Sequence, residues 1–271
     1  MQRVAFMTLG CKTNQYDAEY MREQFLRAGY APVDFDEIAD VYVVNTCMVT
    51  ATGERKSLKY VRQAARRNPQ ADIVVTGCVA QHEGEKLALP GVRLIVGNAR
   101  RREVVPLLER ARREGRALCA VEDLTSAPFE PLDVLANEGH TRAVMKIQEG
   151  CDNRCAYCII PEVRGPIRSR SLSDVADFRD GTTLLDAIEA VCAAQGVERV
   201  RLGSLEPAWI DGPYAQRMAR SEKLCPQFHL SLQSGCDRVL GAMRRRYTTA
   251  QFRRAVQSLR ESFPGCAVTT D

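Results

Sequence analysis

Residues 143–158 read AVMKIQEGCDNRCAYC, an apolar, strand-like run from Ala143 to Gln148 that leads straight into a loop carrying Cys151, Cys155 and Cys158 in C-x3-C-x2-C spacing. Thiolates this close in sequence can converge on one small inorganic core, and three is one short of closing a tetrahedral zinc site or a four-iron cluster. One metal position is then left open. A loop at the C-terminal end of a strand is where barrel enzymes keep their chemistry. A zinc knuckle or a redox pair is the competing reading, but zinc ribbons pair two CxxC or CxxH hooks, and no second CxxC lies nearby.

Upstream of the triad, apolar runs alternate with helix-compatible stretches. Strands are expected at Val4–Leu9, Val41–Asn45, Ile73–Thr76 and Leu94–Val96, and helices from about Asn14 to Ala28 and Gly53 to Arg67. Such alternation describes an α/β domain, a parallel sheet with helices on both faces, here spanning residues 1–121. Cys11, Cys47 and Cys78 each follow one of the first three strands, in LGCKTNQYD, VNTCMVT and VTGCVAQ. In a parallel sheet those ends share one edge, the usual place for a ligand. Any one of them reads as a small buried hydrophobe; the repeated placement favours a second three-thiolate site. Cys119, Cys192, Cys225 and Cys266 show no such pattern and are expected to be structural.

Residues 122–140 contain prolines and acids without sustained period and read as a linker. From 141 to 271 alternation resumes, with helices at Thr183–Ala194, Ala215–Lys223 and Thr249–Ser262 and strands at Arg199–Gly203, His229–Gln233 and Ala267–Thr270. This second domain suits a parallel barrel. His229 reads as a satisfied strand residue, and Met145 beside Ile147 as core. Neither GxGxxG nor GxxxxGK occurs, so no phosphate loop is expected.

The totals bound the function classes. Eleven cysteines, an odd number, in a chain without the long apolar block of a signal peptide suggest reduced metal ligands and buried thiols. No apolar run approaches the length of a membrane span, and a cytoplasmic protein is expected. The net charge of +4 says little by itself, but arginines cluster at 100–102, 110–113, 164–170 and 244–246. Forked, permanently charged guanidinium groups favour phosphate.

With its flanks, the triad resembles the radical S-adenosylmethionine signature. TLGCKTNQYD, VNTCMVT, KIQEGCDNRCAYCIIP, RGPIRSR, RLGSLEP, HLSLQSGC and RRYTT resemble the methylthiotransferases over almost the whole chain. Within them the branch acting on threonylcarbamoyl-modified adenosine of tRNA, beside the anticodon, is the one they resemble. The resemblance implies a Rossmann-like N-terminal methylthiotransferase domain followed by a partial (β/α) barrel of the radical SAM type, with two 4Fe-4S clusters and S-adenosyl-L-methionine as cofactors.

It implies one cluster on Cys151, Cys155 and Cys158 and an auxiliary one on Cys11, Cys47 and Cys78. Tyr157, Ser204, Glu206 and Gln233 are its candidates for binding the cofactor, and Arg164, Arg168 and Arg170 for binding RNA. The implied partners are tRNA and an electron donor. Two alternatives share the chemistry, acting on a ribosomal-protein aspartate or on another modified adenosine. A third is a non-catalytic, metal-stabilised RNA-binding module. The chain departs from the family in two places. After a helix starting within Ser169–Asp177, FRDGTTLL passes into the next helix where the family has a strand and a glycine turn, and the chain stops at Asp271 where the family continues through more barrel and a small β-rich RNA-binding domain. The complete protein is expected to carry both.

Overall fold

A computed structural model describes residues 1–134, 142–170 and 183–271, which fall into two compact units. The first comprises Met1–Asp152 with Ile159–Arg168, and the second Asn153–Cys158 with Ser169–Asp271.

The first unit is built on a six-stranded sheet of β1 (Arg3–Thr8), β2 (Ala31–Val33), β3 (Val41–Thr46), β4 (Asp72–Gly77), β5 (Val92–Val96) and β6 (Leu118–Ala120). Their order is β2-β1-β3-β4-β5-β6 and every pairing is parallel. Helices α1 (Lys12–Arg27), α2 (Ala51–Arg67), α3 (Cys78–Glu83) and α4 (Val104–Glu114) connect them. All six residues of β3 are buried. Its side chains alternate, Val41 and Val43 joining the core that contains α1 and α4 residues, Tyr42 and Val44 the core that contains α2 and α3 residues. A strand that opens on four apolar or aromatic residues is thus sandwiched between two helical layers, as parallel sheets require. The four strands expected from apolar runs are present; β2 and β6 are additional. Each has three residues, too few to show a period, and β2 takes Pro32 at the sheet edge, where a missing N–H costs no ladder bond.

The run Ala143–Gln148 departs from expectation. Only Gln148–Glu149 forms a strand, β7, in a two-stranded sheet with β8 (Arg168–Ser169), the short helix α5 (Ile160–Arg164) lying between them in sequence. Met145 is 49% exposed and is no core residue. Lys146 instead turns inward to join a buried set of charges.

At the centre of that set is Arg101, 1% exposed. Its guanidinium donates to Glu130 Oε2 at 2.9 Å and Glu149 Oε2 at 2.8 Å, and also to Asp17. Lys146 Nζ reaches Asp17 Oδ1 at 2.5 Å and Glu149 Oε2 at 3.0 Å. Arg164 completes the set, donating to Asn14 Oδ1 at 2.5 Å, to Asp17 Oδ2 at 3.2 Å and to Glu149. Three cations thus face three carboxylates. Burial pushes the Asp17 and Glu149 carboxyls up, yet Arg101, Lys146 and Arg164 outweigh it and hold both below the ordinary carboxylate range, Glu149 well below. Residues 122–134, expected as the start of a linker, contribute: Glu130 binds Arg101, and Leu132 is fully buried in the α1 and α4 core.

The second unit carries β9 (Ser204–Leu205), β10 (Gln227–Leu230) and β11 (Ala267–Thr269), parallel in the order β11-β10-β9. Helices α6 (Leu184–Ala193), α7 (Gly212–Ala219), α8 (Asp237–Ala242) and α9 (Thr249–Ser262) surround a core that includes Ile188, Met218, Phe228, Leu230 and Leu259. Helix α9 starts with a reciprocal cap, Thr248 N–H to Gln251 Oε1 at 2.8 Å and Gln251 N–H to Thr248 Oγ1 at 3.3 Å. The expected strand at Arg199–Gly203 is reduced to a single parallel bridge between Val200 and Leu224. Arg199, Arg201 and Gly203 are exposed, leaving too little apolar edge to continue. Most of the Ser169–Asp177 helix and the FRDGTTLL junction lies outside the described residues. Among those described, no helix is long and apolar enough to cross a membrane.

Removing one member of a buried ion set leaves the others uncompensated, so Arg101→Met is expected to cost about 3–5 kcal/mol of unfolding free energy in a urea titration. Because Asp17 and Glu149 are held low, their contribution is present above the unfolded carboxyl range of about 4 and is lost as pH falls through their folded values. Thermal midpoints measured from pH 7 downward should therefore drop steeply only below about pH 4.

Candidate functional site

In the sheet order the chain reverses direction of winding between β1 and β3, and ligands of such sheets sit at the C-terminal edge at that switch. Cys11 follows β1 as the N-cap of α1, Cys47 directly follows β3, and Cys78 follows β4 as the first residue of α3. The three cysteines therefore leave three adjacent parallel strands at one edge. Cys47 and Cys78 are buried and Cys11 is exposed.

The loops that carry them are stapled to one another. Asn14 Nδ2 donates to Leu9 O at 2.7 Å and Thr46 O at 2.9 Å, tying the β1 turn to the end of β3. Asn45 Nδ2 returns a bond to Asn14 O at 2.7 Å. The Thr46 hydroxyl accepts from Val79 N–H at 3.1 Å and donates to Thr76 O, joining β3 to the start of α3. Ser57 Oγ accepts from Cys47 N–H at 3.1 Å. All of these residues except Ser57, which lies on α2, fall within the motifs around the cysteines. Gly10 supplies the clearance: at φ +100, a Cβ there would lie 2.8 Å from both Cβ and Sγ of Cys47.

Electrostatics link the same groups. Burial pushes the Cys78 thiol up, Arg164 opposes the rise by charge and by a hydrogen bond, and Cys47 and Cys11 add to it. The sulfurs are near enough to influence one another.

The triad is held in another way. Gly150, at φ +82, has no room for a side chain, since a Cβ would fall 2.0 Å from Pro166 O. Cys151 N–H donates to Gly165 O at 3.0 Å. In the second unit, Arg154 takes a left-handed φ of +43, and Cys158 N–H closes a turn on Cys155 O at 3.0 Å. Cys155 is buried, and its Sγ accepts from Arg245 Nη1 at 3.2 Å. Arg245 Nη2 also grips Glu206 Oε1 and Oε2 at 3.0 and 2.9 Å. Burial raises the Glu206 carboxyl, against the pull of Arg245. Tyr157 is 53% exposed; partial burial raises its phenol, Arg245 opposing and Cys155 and Cys158 adding. Ser204 is exposed in β9, opposite His229 of β10, and Gln233, at φ +64, donates to Asp271 Oδ2 at 2.6 Å. Of the four residues expected at the cofactor, Glu206 and Tyr157 thus share Arg245 as a neighbour with Cys155, while Gln233 bonds Asp271 and Ser204 is exposed.

Arg164, Arg168 and Arg170 are 4%, 3% and 7% exposed. Arg164 belongs to the buried charge set, and Arg168 Nη2 donates to Arg164 O at 2.8 Å. These guanidinium groups face the protein interior, which charge in the sequence could not reveal.

Among the described residues no three His, Cys, Asp or Glu side chains are arranged to hold a single metal ion. A four-iron cluster makes a different demand, taking each thiolate at a separate iron. Two cysteine-only trios, one with bare glycine backbone against its middle sulfur, fit that donor set.

The chain matches the model of an uncharacterized protein family, UPF0004, over residues 3–97. It is 38% identical to the threonylcarbamoyladenosine tRNA methylthiotransferase of Bacillus subtilis, over 100% of this chain and 66% of that one. The enzyme of the same name from Aquifex aeolicus is 35% identical, over 99% and 72%. A tRNA-2-methylthio-N(6)-dimethylallyladenosine synthase of Anaeromyxobacter dehalogenans is 33% identical, over 100% and 64%. The chain thus spans about two thirds of the length of the curated relatives it matches, and the Bacillus alignment runs to 301 positions against 271 residues here. Among solved structures, the cobalamin-dependent S-adenosylmethionine radical enzyme OxsB, with aqua-cobalamin and S-adenosylmethionine bound, matches with a TM-score of 0.59 at 12% identity. That match covers 100% of this chain and 49% of the other. At this identity the likeness concerns the fold alone.

Gly10→Ala should lower stability through both backbone strain, about 1–2 kcal/mol for a left-handed residue, and displacement of Cys47. Gly29, at φ +84 with nothing within 4 Å, provides the control. Thermal melting should show a larger loss for Gly10→Ala than for Gly29→Ala, and only the former should speed reaction of Cys47 with a thiol reagent.

Proposed function

The chain belongs to the tRNA methylthiotransferase family, and on that premise we propose that it is an enzyme transferring a methylthio group to C2 of N6-threonylcarbamoyladenosine in tRNA, next to the anticodon. In this reading it works by radical S-adenosylmethionine chemistry with two 4Fe-4S clusters, in the cytoplasm, with tRNA and an electron donor as partners. In this reading residues 1–121 form the methylthiotransferase domain, onto which the first residues of the expected linker pack, and 141–271 contribute to a radical SAM partial barrel. The observation that carries the reading is the gathering of Cys11, Cys47 and Cys78 at one sheet edge in a chain that also holds the Cys151, Cys155, Cys158 triad. The threonylcarbamoyl substrate is favoured because relatives named for it reach 38% and 35% identity. The dimethylallyl base is the second reading, supported by relatives at 33%.

C2 of adenine carries no acidic hydrogen, so side-chain acids and bases offer no route to it. When bound, the clusters and S-adenosylmethionine supply the low-potential electron, the radical chemistry and the sulfur. The chain's own residues hold and orient. Cys151, Cys155 and Cys158 ligate one cluster, and Cys11, Cys47 and Cys78 the other. Asn14 and Thr46 keep the auxiliary trio in register through backbone bonds. The exposed ring of Tyr157 would flank the adenine of the cofactor, while Ser204 and Gln233, at or just past strand ends, would offer hydrogen bonds to its ribose or methionine part. Arg164, Arg168 and Arg170 serve the interior, which leaves the RNA contact to other cations.

Anaerobically reconstituted protein should hold about eight irons, four on each trio; four or fewer would sink the auxiliary site. In cells lacking the protein, nucleoside mass spectrometry should show threonylcarbamoyladenosine without its methylthio group. Loss from the dimethylallyl base instead would establish the second reading, and unchanged nucleosides would reject tRNA as substrate.

A further inference from the structure

The strongest unassigned constellation centres on Arg245, the first residue of the RRYTT motif. It is delivered by a specific helix ending. Helix α8 stops at Met243, Arg244 adopts a left-handed φ of +58, Arg244 N–H bonds Gly241 O at 3.0 Å and Arg245 N–H bonds Leu240 O at 2.9 Å. This paired closure is a Schellman motif, which ordinarily takes glycine at the left-handed position. Arginine there accepts the strain of a left-handed backbone, and strain kept at one position points to a functional demand. The same helix end holds the triad loop directly, since Ala156 N–H donates to Met243 O at 3.0 Å.

Every nitrogen of the Arg245 guanidinium is engaged. Nη1 donates to Cys155 Sγ at 3.2 Å, Nη2 to both oxygens of Glu206, and Nε to Tyr247 Oη at 3.1 Å. The Tyr247 hydroxyl donates to Ser231 O and to Leu232 O, the latter at 2.7 Å, so its oxygen lone pairs accept from Nε. The guanidinium carbon lies 4.9 Å from the Tyr247 ring centroid, and the Arg245 side chain is 7% exposed. A buried, fully bonded cation is thereby locked on one sulfur of the triad.

We propose that Arg245 is a positioning residue that fixes Cys155 and sets the reduction potential of the cluster on Cys151, Cys155 and Cys158, with Glu206 acting as the anion that aims it. The inference rests on the reading that the triad binds a four-iron cluster. Adding one electron makes such a cluster more negative, and an N–H donor on a ligand sulfur stabilises the more negative state, so its potential rises. Without Arg245 the cluster is harder to reduce. Glu206, expected from sequence at the cofactor, is accordingly engaged in holding Arg245.

The test is a redox titration of the full chain, reconstituted anaerobically with iron and sulfide and poised with dithionite, read by electron paramagnetic resonance. The triad cluster is recognised as the signal that changes on adding S-adenosylmethionine. Arg245→Met should lower the ratio of reduced to oxidised cluster about tenfold at a given poise, equivalent to about 59 mV for one electron. Arg245→Lys should fall between, and Glu206→Gln should shift the potential in the same direction. The double variant Arg245→Met with Glu206→Gln should shift no further than Arg245→Met alone, because the two act through one contact. An unchanged potential in Arg245→Met at full iron content would overturn the proposal. So would loss of the cluster in Arg245→Met together with a wild-type potential in Arg245→Lys, which would mark a role in retention only. Failure of the underlying reading is separate: it would appear as wild-type protein whose iron content does not fall in Cys155→Ala.

Discussion

Arg101 sits with almost no solvent contact among Asp17, Glu130 and Glu149, and the first unit depends on that meeting of charges. Asp17 lies on α1, Glu149 on β7, and Glu130 on the segment following the sheet. Lys146 and Arg164 then bring two further pieces of chain to the same carboxylates. An ion desolvated to this degree tolerates no missing partner, so these segments are held in one arrangement. Arg164 extends the constraint to chemistry, because its charge opposes the rise that burial imposes on the Cys78 thiol. The charge set therefore bears on the sheet edge where the auxiliary cysteines stand.

Two cysteine trios are prepared by different physics. For Cys11, Cys47 and Cys78 the positioning element is the parallel sheet. Adjacent strands in register deliver their ends to one edge, and Asn14, Asn45 and Thr46 stitch the loops together through backbone groups. The triad has only three and two residues between its members, so sequence proximity does the gathering. What it needs is control of a short loop, through Gly150 pressed against Pro166 and the Arg245 clamp on Cys155.

Much of this was legible before folding. Apolar runs marked β1, β3, β4 and β5 because the middle of each strand is covered by helices on both faces of the sheet, and the placement of Cys11, Cys47 and Cys78 just past strands followed directly. Short edge strands left no such mark: β2 and β6 have three residues each. Composition misled at Ala143–Gln148, where Lys146 goes to an ionic interior instead of a strand face, and at Arg164, Arg168 and Arg170, whose charge suggests phosphate while their burial commits them to protein groups.

The sequence by itself determined the donor chemistry, two sets of three thiols, and the α/β frame, because both are local properties of spacing and hydrophobic period. Only the tertiary structure decided which side chains serve those thiols. Arg245 lies ninety positions from Cys155, and Arg164 meets Asp17 across an even longer stretch of chain. Contacts of that range depend on where helix ends and strand edges deliver a guanidinium, and no pattern along the chain encodes the burial that makes the delivery matter.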